Sequence, residues 1–265
     1  MRLNCVLIAG GKWHDIDFAR LELLKLLAED EQVRVRVFED YSNLEAICAA
    51  DFLVTYTCDV TPSLEAQEAL RDYVMQGGRW LALHGTNSIL RFLDNGSIDT
   101  PRWAPLFMDT LGSMFLAHPP IGPFTVEPTG VPHALVEGIE AFEVVDEMYL
   151  SEVYAPIEVL LDTQFEGMAG RFVHNRWDKQ RHPVLYLRRL GQGAVLYLTL
   201  GHCRGHYDLQ PMMDYYPLVE RGAWEQPVYY ELLRRGLSWA KDRLEPGEMP
   251  PEPDIRIGNR TKTRA

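Results

Sequence analysis

Cysteine is scarce in this chain. Cys5, Cys48, Cys58 and Cys203 stand without paired spacing. That argues against a disulfide framework and makes free thiols of a cytoplasmic protein the default expectation. Basic residues are also in deficit: 26 Lys and Arg face 38 Asp and Glu, for a formal net charge of -12. Non-specific nucleic-acid binding needs a basic face, and so does an anionic membrane surface, so neither partner is expected. Long apolar runs are missing as well; none approaches the roughly 20 residues of a membrane-spanning helix. The apolar run Leu3 to Ala9 flows directly into Gly10-Gly11 and reads as a first strand rather than a signal peptide. There is no internal repeat. What is there is 265 residues with 46% hydrophobic content, enough for one large core. One domain over residues 1–241 is expected. Residues 242–265, rich in Pro, Glu, Arg and Lys, read as an extended or disordered tail, or as an arm ordered by a partner subunit in a homo-oligomer.

The first ninety residues alternate between strand and helix patterns. Leu3 to Ala9 has strand length, and Phe18, Leu21, Leu23, Leu24, Leu26 and Leu27 follow at helical spacing, with Asp17 as an N-cap. Val33, Val35 and Val37 alternate with Arg34 and Arg36, the mark of a half-buried strand. A short helical piece around Ile47, a strand from Asp51 to Thr57, a helix opening at Ser63 and closing at Gly77-Gly78, and a strand from Arg79 to Leu83 complete the series. This βα succession implies a parallel sheet with right-handed crossovers. Beyond Asn87 the pattern loosens. Pro101 to Leu111 reads as helix, and Phe124 to Val126, Glu143 to Val145 and Val159 to Asp162 as strand pieces. Val184 to Leu190 and Ala194 to Thr199 flank Gly191-Gln192 as an antiparallel hairpin, and Val228 to Trp239 is a closing amphipathic helix. The polar stretch Gln164 to Arg181 reads as an exposed loop, with a lid or subunit contact as its functional option.

Three histidine-bearing loops each follow a predicted strand: Trp13-His14-Asp15, His84-Gly85-Thr86-Asn87, and Gly201-His202-Cys203. In open α/β sheets ligands bind at the carboxyl ends of strands. The abrupt strand-to-helix turn at His84 has the pattern that presents a nucleophile in hydrolases, here carrying an imidazole. If the strands are neighbours, His14, His84 and His202 share one rim, and Asp146-Glu147-Met148-Tyr149 ends another strand piece. Alternation would put Glu147 on the face of Val145, inward. Three imidazoles and a carboxylate suit general acid/base chemistry, or a divalent metal such as zinc with an open position. Any one of these histidines alone is as readily a structural hydrogen-bond partner, His14 could simply cap the helix that follows, and an adjacent acidic pair is usually solvated. His118-Pro119 reads as a rigid loop from which His118 could enter the pocket. Cys203 points away from His202 and reads as an inert buried thiol, while Cys58 could line the rim. Trp13, Trp103, Tyr149 and Trp177 could offer aromatic faces to a sugar ring, or pack ordinarily.

Leu83-His84-Gly85, His118-Pro119, Asp146-Glu147-Met148-Tyr149 and the strand Gly191 to His202 occur in an order that resembles the trehalose-utilisation (ThuA-like) family, over roughly residues 3 to 241. The resemblance implies a flavodoxin-like fold of the class I glutamine amidotransferase type: a mostly parallel sheet flanked by helices, with the late antiparallel hairpin. Amidotransferases carry cysteine at the elbow, where this chain has His84, and their late-strand histidine corresponds to His202. An imidazole forms no stable acyl intermediate, so glutaminase activity is not expected. The resemblance implies an enzyme of carbohydrate catabolism, acting on a disaccharide or an oxidised (keto) glucoside as hydrolase, lyase or isomerase. His84, His202 and Glu147 would be catalytic. His14, Asp15, Asn87, His118 and Tyr149 would line the substrate site, and His14, His84 and His202 are the candidate metal ligands. No nucleotide cofactor is expected. The competing readings are a non-catalytic sugar-binding module and a structural subunit on the same scaffold.

Overall fold

Strands buried on both faces need apolar residues at nearly every position, and this requirement selects the centre of the sheet. The computed structural model describes residues 2–242; residues 243–265, where all but the first residue of the expected tail falls, lie outside the described residues. Strand β1 (Leu3–Gly11) is buried from Cys5 to Gly10. Helix α1 (Ile16–Leu27) follows, and its N-cap is Asp15, which accepts from the Phe18 amide at 3.1 Å. The expected cap, Asp17, instead lies in the first turn and pairs with Arg20. Strand β2 (Val33–Phe38) is the half-buried edge that its Val/Arg alternation requires. Helix α2 (Leu44–Cys48), strand β3 (Phe52–Cys58), helix α3 (Leu64–Met75) and strand β4 (Arg79–Leu83) follow; Asn43 caps α2, Ser63 caps α3, and both strands are fully buried.

A 3₁₀ turn over His84–Asn87 leads to a small hairpin, β5 (Arg91–Phe92) with β6 (Ile98–Asp99). Helix α4 spans Pro105–Leu111, beginning at Pro105 and not at Pro101; proline suits its first turn, and it stops at Gly112. Strands β7 (Ser113–Ala117), β8 (Gly122–Pro128), β9 (Phe142–Asp146), β10 (Leu150–Val153), β11 (Glu158–Met168), β12 (Arg176–Leu190) and β13 (Gly193–Leu198) precede the closing helix α5 (Pro227–Lys241). The expected loop from Gln164 to Arg181 is instead the outer part of a long β11–β12 ribbon, paired as far out as Met168 and Arg176. Its polar residues alternate on an exposed two-stranded ribbon, which satisfies the backbone without a core.

Among the described residues, nine strands form one mixed sheet, in the order β2-β1-β3-β4-β13-β12-β11-β8-β9. The run from β2 to β13 is parallel, and from β13 to β9 each pair is antiparallel. Strands β7 and β10 form a separate antiparallel pair. Leu23 and Leu27 of α1 and Leu233 and Leu237 of α5 pack in one core, while Ile47, Leu70 and Phe107 of α2, α3 and α4 pack in the other. Each such buried side chain contributes roughly 1.5–3 kcal/mol. Strands β1, β4 and β13 run in the same direction, so the segments that follow them leave at one end of the sheet.

Candidate functional site

At that end the three strand-following histidines meet. Their ring centroids lie 4.6 Å apart for His14–His84, 5.2 Å for His14–His202 and 6.0 Å for His84–His202. Each is placed by local backbone chemistry. His84 takes a left-handed φ of 42°, and the Tyr197 hydroxyl donates to its carbonyl at 2.6 Å. The residue after it must be glycine: a Cβ on Gly85 would lie 2.5 Å from the Thr57 carbonyl oxygen. Gly201 is at φ +127°, and a Cβ there would meet the Tyr229 hydroxyl at 2.4 Å. His14 follows Trp13, itself at φ 71°, and the Asp15 amide donates to the Cys203 carbonyl at 2.9 Å, tying the first loop to the third.

Asp146 and Glu147 are both buried, and they do different things. The Asp146 carboxylate accepts from the amides of Glu147, Gly201, His202 and Ala223, at 2.7, 3.1, 3.1 and 2.7 Å. It is an anchor that fixes the His202 loop. Glu147 faces the histidines: Oε2 lies 3.4 Å from His14 Nε2 and 3.5 Å from His84 Nε2, and Oε1 lies 3.1 Å from His202 Nδ1 and 3.7 Å from His118 Nε2. The inward position of Glu147 holds, but the alternation argument for it does not. Val145 is 51% exposed, and β9 ends at Asp146, so strand period no longer governs residue 147.

The outer nitrogens of the three rings meet carbonyl or carboxylate oxygens. His84 Nδ1 donates to the Thr199 carbonyl at 2.9 Å, His14 Nδ1 faces the Lys12 carbonyl at 3.4 Å, and His202 Nε2 meets Glu220 Oε2 at 2.8 Å. The inner nitrogens therefore point at one another, with His14 Nε2 and His84 Nε2 only 2.8 Å apart. Arg204 closes the arrangement. Its Nη2 lies 3.2 Å from Glu147 Oε1 and its Nη1 2.9 Å from Glu220 Oε2.

Burial and charge divide the histidines. Burial is the largest influence on His14 and lowers it to about 3, so the ring is neutral at ordinary pH. Burial also acts to lower His202, but the Glu147 and Glu220 carboxylates outweigh it and raise the ring to about 9, making an imidazolium. Burial would raise Glu147, yet His202, His118 and His14 together hold it well below the usual carboxylate range. A buried neutral imidazole beside a buried ionised carboxylate and a buried imidazolium is a set of proton donors and acceptors held in fixed states.

A cavity of about 640 Å³ opens onto this cluster. His14, Glu147, Tyr149, Cys58 and Arg204 lie at its polar end, and His118 stands on its wall with 24% of its side chain exposed. Trp13, Phe92, Phe115 and Phe172 supply apolar walls. His84 and His202 are wholly buried and are not among the cavity-lining residues; they lie behind Glu147 and His14, which are. Tyr149 bridges the levels, with its hydroxyl 3.5 Å from His84 Nε2. Two expected lining residues are elsewhere. Asp15 caps α1 and pairs with Arg221 at 3.1 Å, and the Asn87 amide donates to Ser113 Oγ at 2.8 Å inside the second core. Of the four aromatic candidates, Trp13 and Tyr149 line the cavity, while Trp103 and Trp177 do not. Cys203 is buried, and burial pushes its thiol up to about 12. Cys58 does line the cavity, with its thiol raised well above its ordinary value, mainly by burial. Arg204 and Glu220 were not foreseen. Arg204 sits two residues past His202, a spacing that an extended segment turns to the same side; Glu220 carries no such signal, because a loop of fifteen residues separates it from Arg204.

The fold and site define an α/β protein with a buried imidazole–carboxylate cluster at the carboxyl end of its parallel strands. Residues 6–216 match the family described as "Trehalose utilisation" (ThuA), and the chain belongs to that family. Among solved structures, a ThuA-like protein from Bacteroides uniformis aligns with a TM-score of 0.62 at 16% identity, covering 90% of this chain and 91% of the other. A ThuA-like protein from Parabacteroides merdae aligns with a TM-score of 0.59 at 15% identity, covering 96% of each chain. A cytoplasmic protein from Salmonella typhimurium aligns with a TM-score of 0.51 at 14% identity, over 90% of this chain and 97% of the other. At such identities the likeness is one of fold. The comparison with curated proteins gave no match. No helix among the described residues is long and apolar enough to cross a membrane.

Proposed function

We propose that this protein is an enzyme of carbohydrate catabolism that transfers protons to and from a sugar derivative bound in the cavity above Glu147. The observation that carries the reading is the ionised carboxylate of Glu147, 4% exposed, held at the polar end of a cavity among four imidazoles and one guanidinium. Burying such a charge and its partners gains little stability over an apolar packing, so its retention points to chemistry. The trehalose-utilisation family supports a sugar as substrate. Trp13 and Tyr149 offer it aromatic faces.

An oxidised (keto) glucoside suits the groups present. The proton beside its carbonyl is acidic, and its removal leaves charge on the carbonyl oxygen. Glu147 and His118, 3.7 Å apart at the cavity, are placed to exchange protons with the sugar. The Tyr149 hydroxyl and Arg204 guanidinium are placed to donate to the oxygen that gains charge. The same chemistry serves isomerisation, elimination and glycosidic cleavage. A glutaminase is no part of this reading: residue 84 is histidine, and burial keeps the Cys58 and Cys203 thiols protonated.

The test is turnover of keto-glucosides and their parent glucosides by the purified chain and by Glu147→Gln and His118→Ala. Each variant should lose about 10²- to 10⁴-fold in kcat/KM while keeping its circular dichroism spectrum. Wild-type turnover in folded Glu147→Gln would remove the reading. Binding of the sugar without turnover by the unaltered chain would return the protein to the class of binding modules.

A further inference from the structure

The proton assignment inside the cluster leaves an unfilled electrostatic requirement. With the Nδ1 protons of His14 and His84 directed to the Lys12 and Thr199 carbonyls, both Nε2 atoms present lone pairs to each other across 2.8 Å. With the Nε2 proton of His202 on Glu220, its Nδ1 also faces inward. That nitrogen is fully buried and has no aligned hydrogen-bond partner, although Glu147 Oε1 is 3.1 Å away. Exchanging tautomers does not help, because it moves a lone pair to face a carbonyl oxygen. Three inward nitrogens and a carboxylate need a positive centre among them: the extra proton of the His202 imidazolium, or a metal ion that takes its place and also satisfies the facing His14 and His84 nitrogens.

The geometry points to a divalent transition-metal site formed by His14 Nε2, His84 Nε2, His202 Nδ1 and one oxygen of Glu147. Candidate ligand atoms on these four buried residues all lie within 4.8 Å of one another, as ligands around a single ion must. Three imidazoles with one carboxylate suit zinc, cobalt or iron and not the all-oxygen shells of calcium and magnesium. The outer contacts fit the same assignment: a ring that binds metal through one nitrogen commonly donates the other N–H to a carbonyl or carboxylate, and Thr199, Lys12 and Glu220 supply those acceptors. The cavity reaches the group where His14 and Glu147 line it, so a substrate oxygen could approach the ion. Bound there, such an ion supplies a Lewis acid for a carbonyl or hydroxyl oxygen. The inference deepens the enzymatic reading and rests on it for its use, since Glu147 then acts as ligand and His118 keeps the proton transfer. Its test needs no substrate.

Protein purified without chelators is analysed for metal content, then stripped and titrated with zinc and cobalt by calorimetry and absorption. Roughly one ion per chain is expected, and cobalt should give the visible bands of a nitrogen/oxygen site of low coordination number. His84→Ala and His14→Gln should abolish stoichiometric binding. Glu220→Gln, which removes only an outer acceptor, should weaken it about 10- to 100-fold. His182→Gln, on a buried histidine outside the cluster, should bind as the unaltered chain does. If His84→Ala fails to fold, His14→Gln and Glu220→Gln carry the test. Failure of the folded, unaltered chain to take up zinc or cobalt would show that a proton fills the gap and overturn the site. Uptake unchanged in His14→Gln and Glu220→Gln would place the ion elsewhere. Ion uptake without sugar turnover would leave the metal site standing and sink the enzymatic reading; turnover by a chain that takes up no ion would do the reverse.

Discussion

At His84 the backbone holds a left-handed conformation that costs a non-glycine residue about 1–3 kcal/mol, and its neighbours hold it there. Gly85 makes this affordable, since any side chain at that position strikes the Thr57 carbonyl. Gly85→Ala should therefore lower unfolding free energy by roughly 2–3 kcal/mol, measured by denaturant titration with unchanged slope. A variant as stable as the parent would show that the loop relaxes freely and that the elbow is not rigid. The pairing of histidine with glycine after an apolar strand was readable in the sequence, and so was the convergence of residues 14, 84 and 202. The separate duties of Asp146 and Glu147 were not. Both are acidic and adjacent, and only the four amides brought to Asp146 by other segments distinguish an anchor from a group facing the cluster.

Strands β4 and β13 could be read from their residues because continuous burial imposes an unbroken apolar run. The outer β11–β12 ribbon could not. Its polar residues satisfy the backbone by cross-strand pairing and carry no apolar run of the kind that marks a buried strand. Strand β12 also carries a histidine that belongs to no motif named above. His182 is 1% exposed, packs edge-on against Trp177 at 5.3 Å, and leaves its Nε2 without a partner. Burial lowers it to about 4 from an ordinary 6.5. Between those values the unfolded chain binds a proton that the folded chain refuses. This contribution to stability is therefore intact above pH 6.5, falls as pH drops toward 4, and is fully lost below that. His182→Phe should remove about 3 kcal/mol of the acid-induced loss, read as the difference between the two proteins' stability–pH curves. Parallel curves through this window would show that His182 titrates normally.

For the molecule as a whole, the cysteines test the packing. Cys5, Cys58 and Cys203 are buried, and Cys48 alone is exposed. A thiol reagent should label one site in the native protein and four after denaturation. Fast native labelling of a second thiol would mean that the cavity floor at Cys58 opens. The amino-acid sequence by itself determined the βα alternation, the strand-end placement of three histidines and the absence of an elbow thiol, because burial periodicity and local turn chemistry are written in neighbouring residues. Only the tertiary structure decided that Asp15 and Asn87 turn away from the cavity, that Arg204 and Glu220 brace the cluster, and that His84 and His202 lie beneath Glu147 and His14. Those outcomes depend on contacts between segments far apart along the chain, such as Cys203 against Asp15 and Arg221 against Asp15, and no local pattern encodes the direction from which a distant partner arrives.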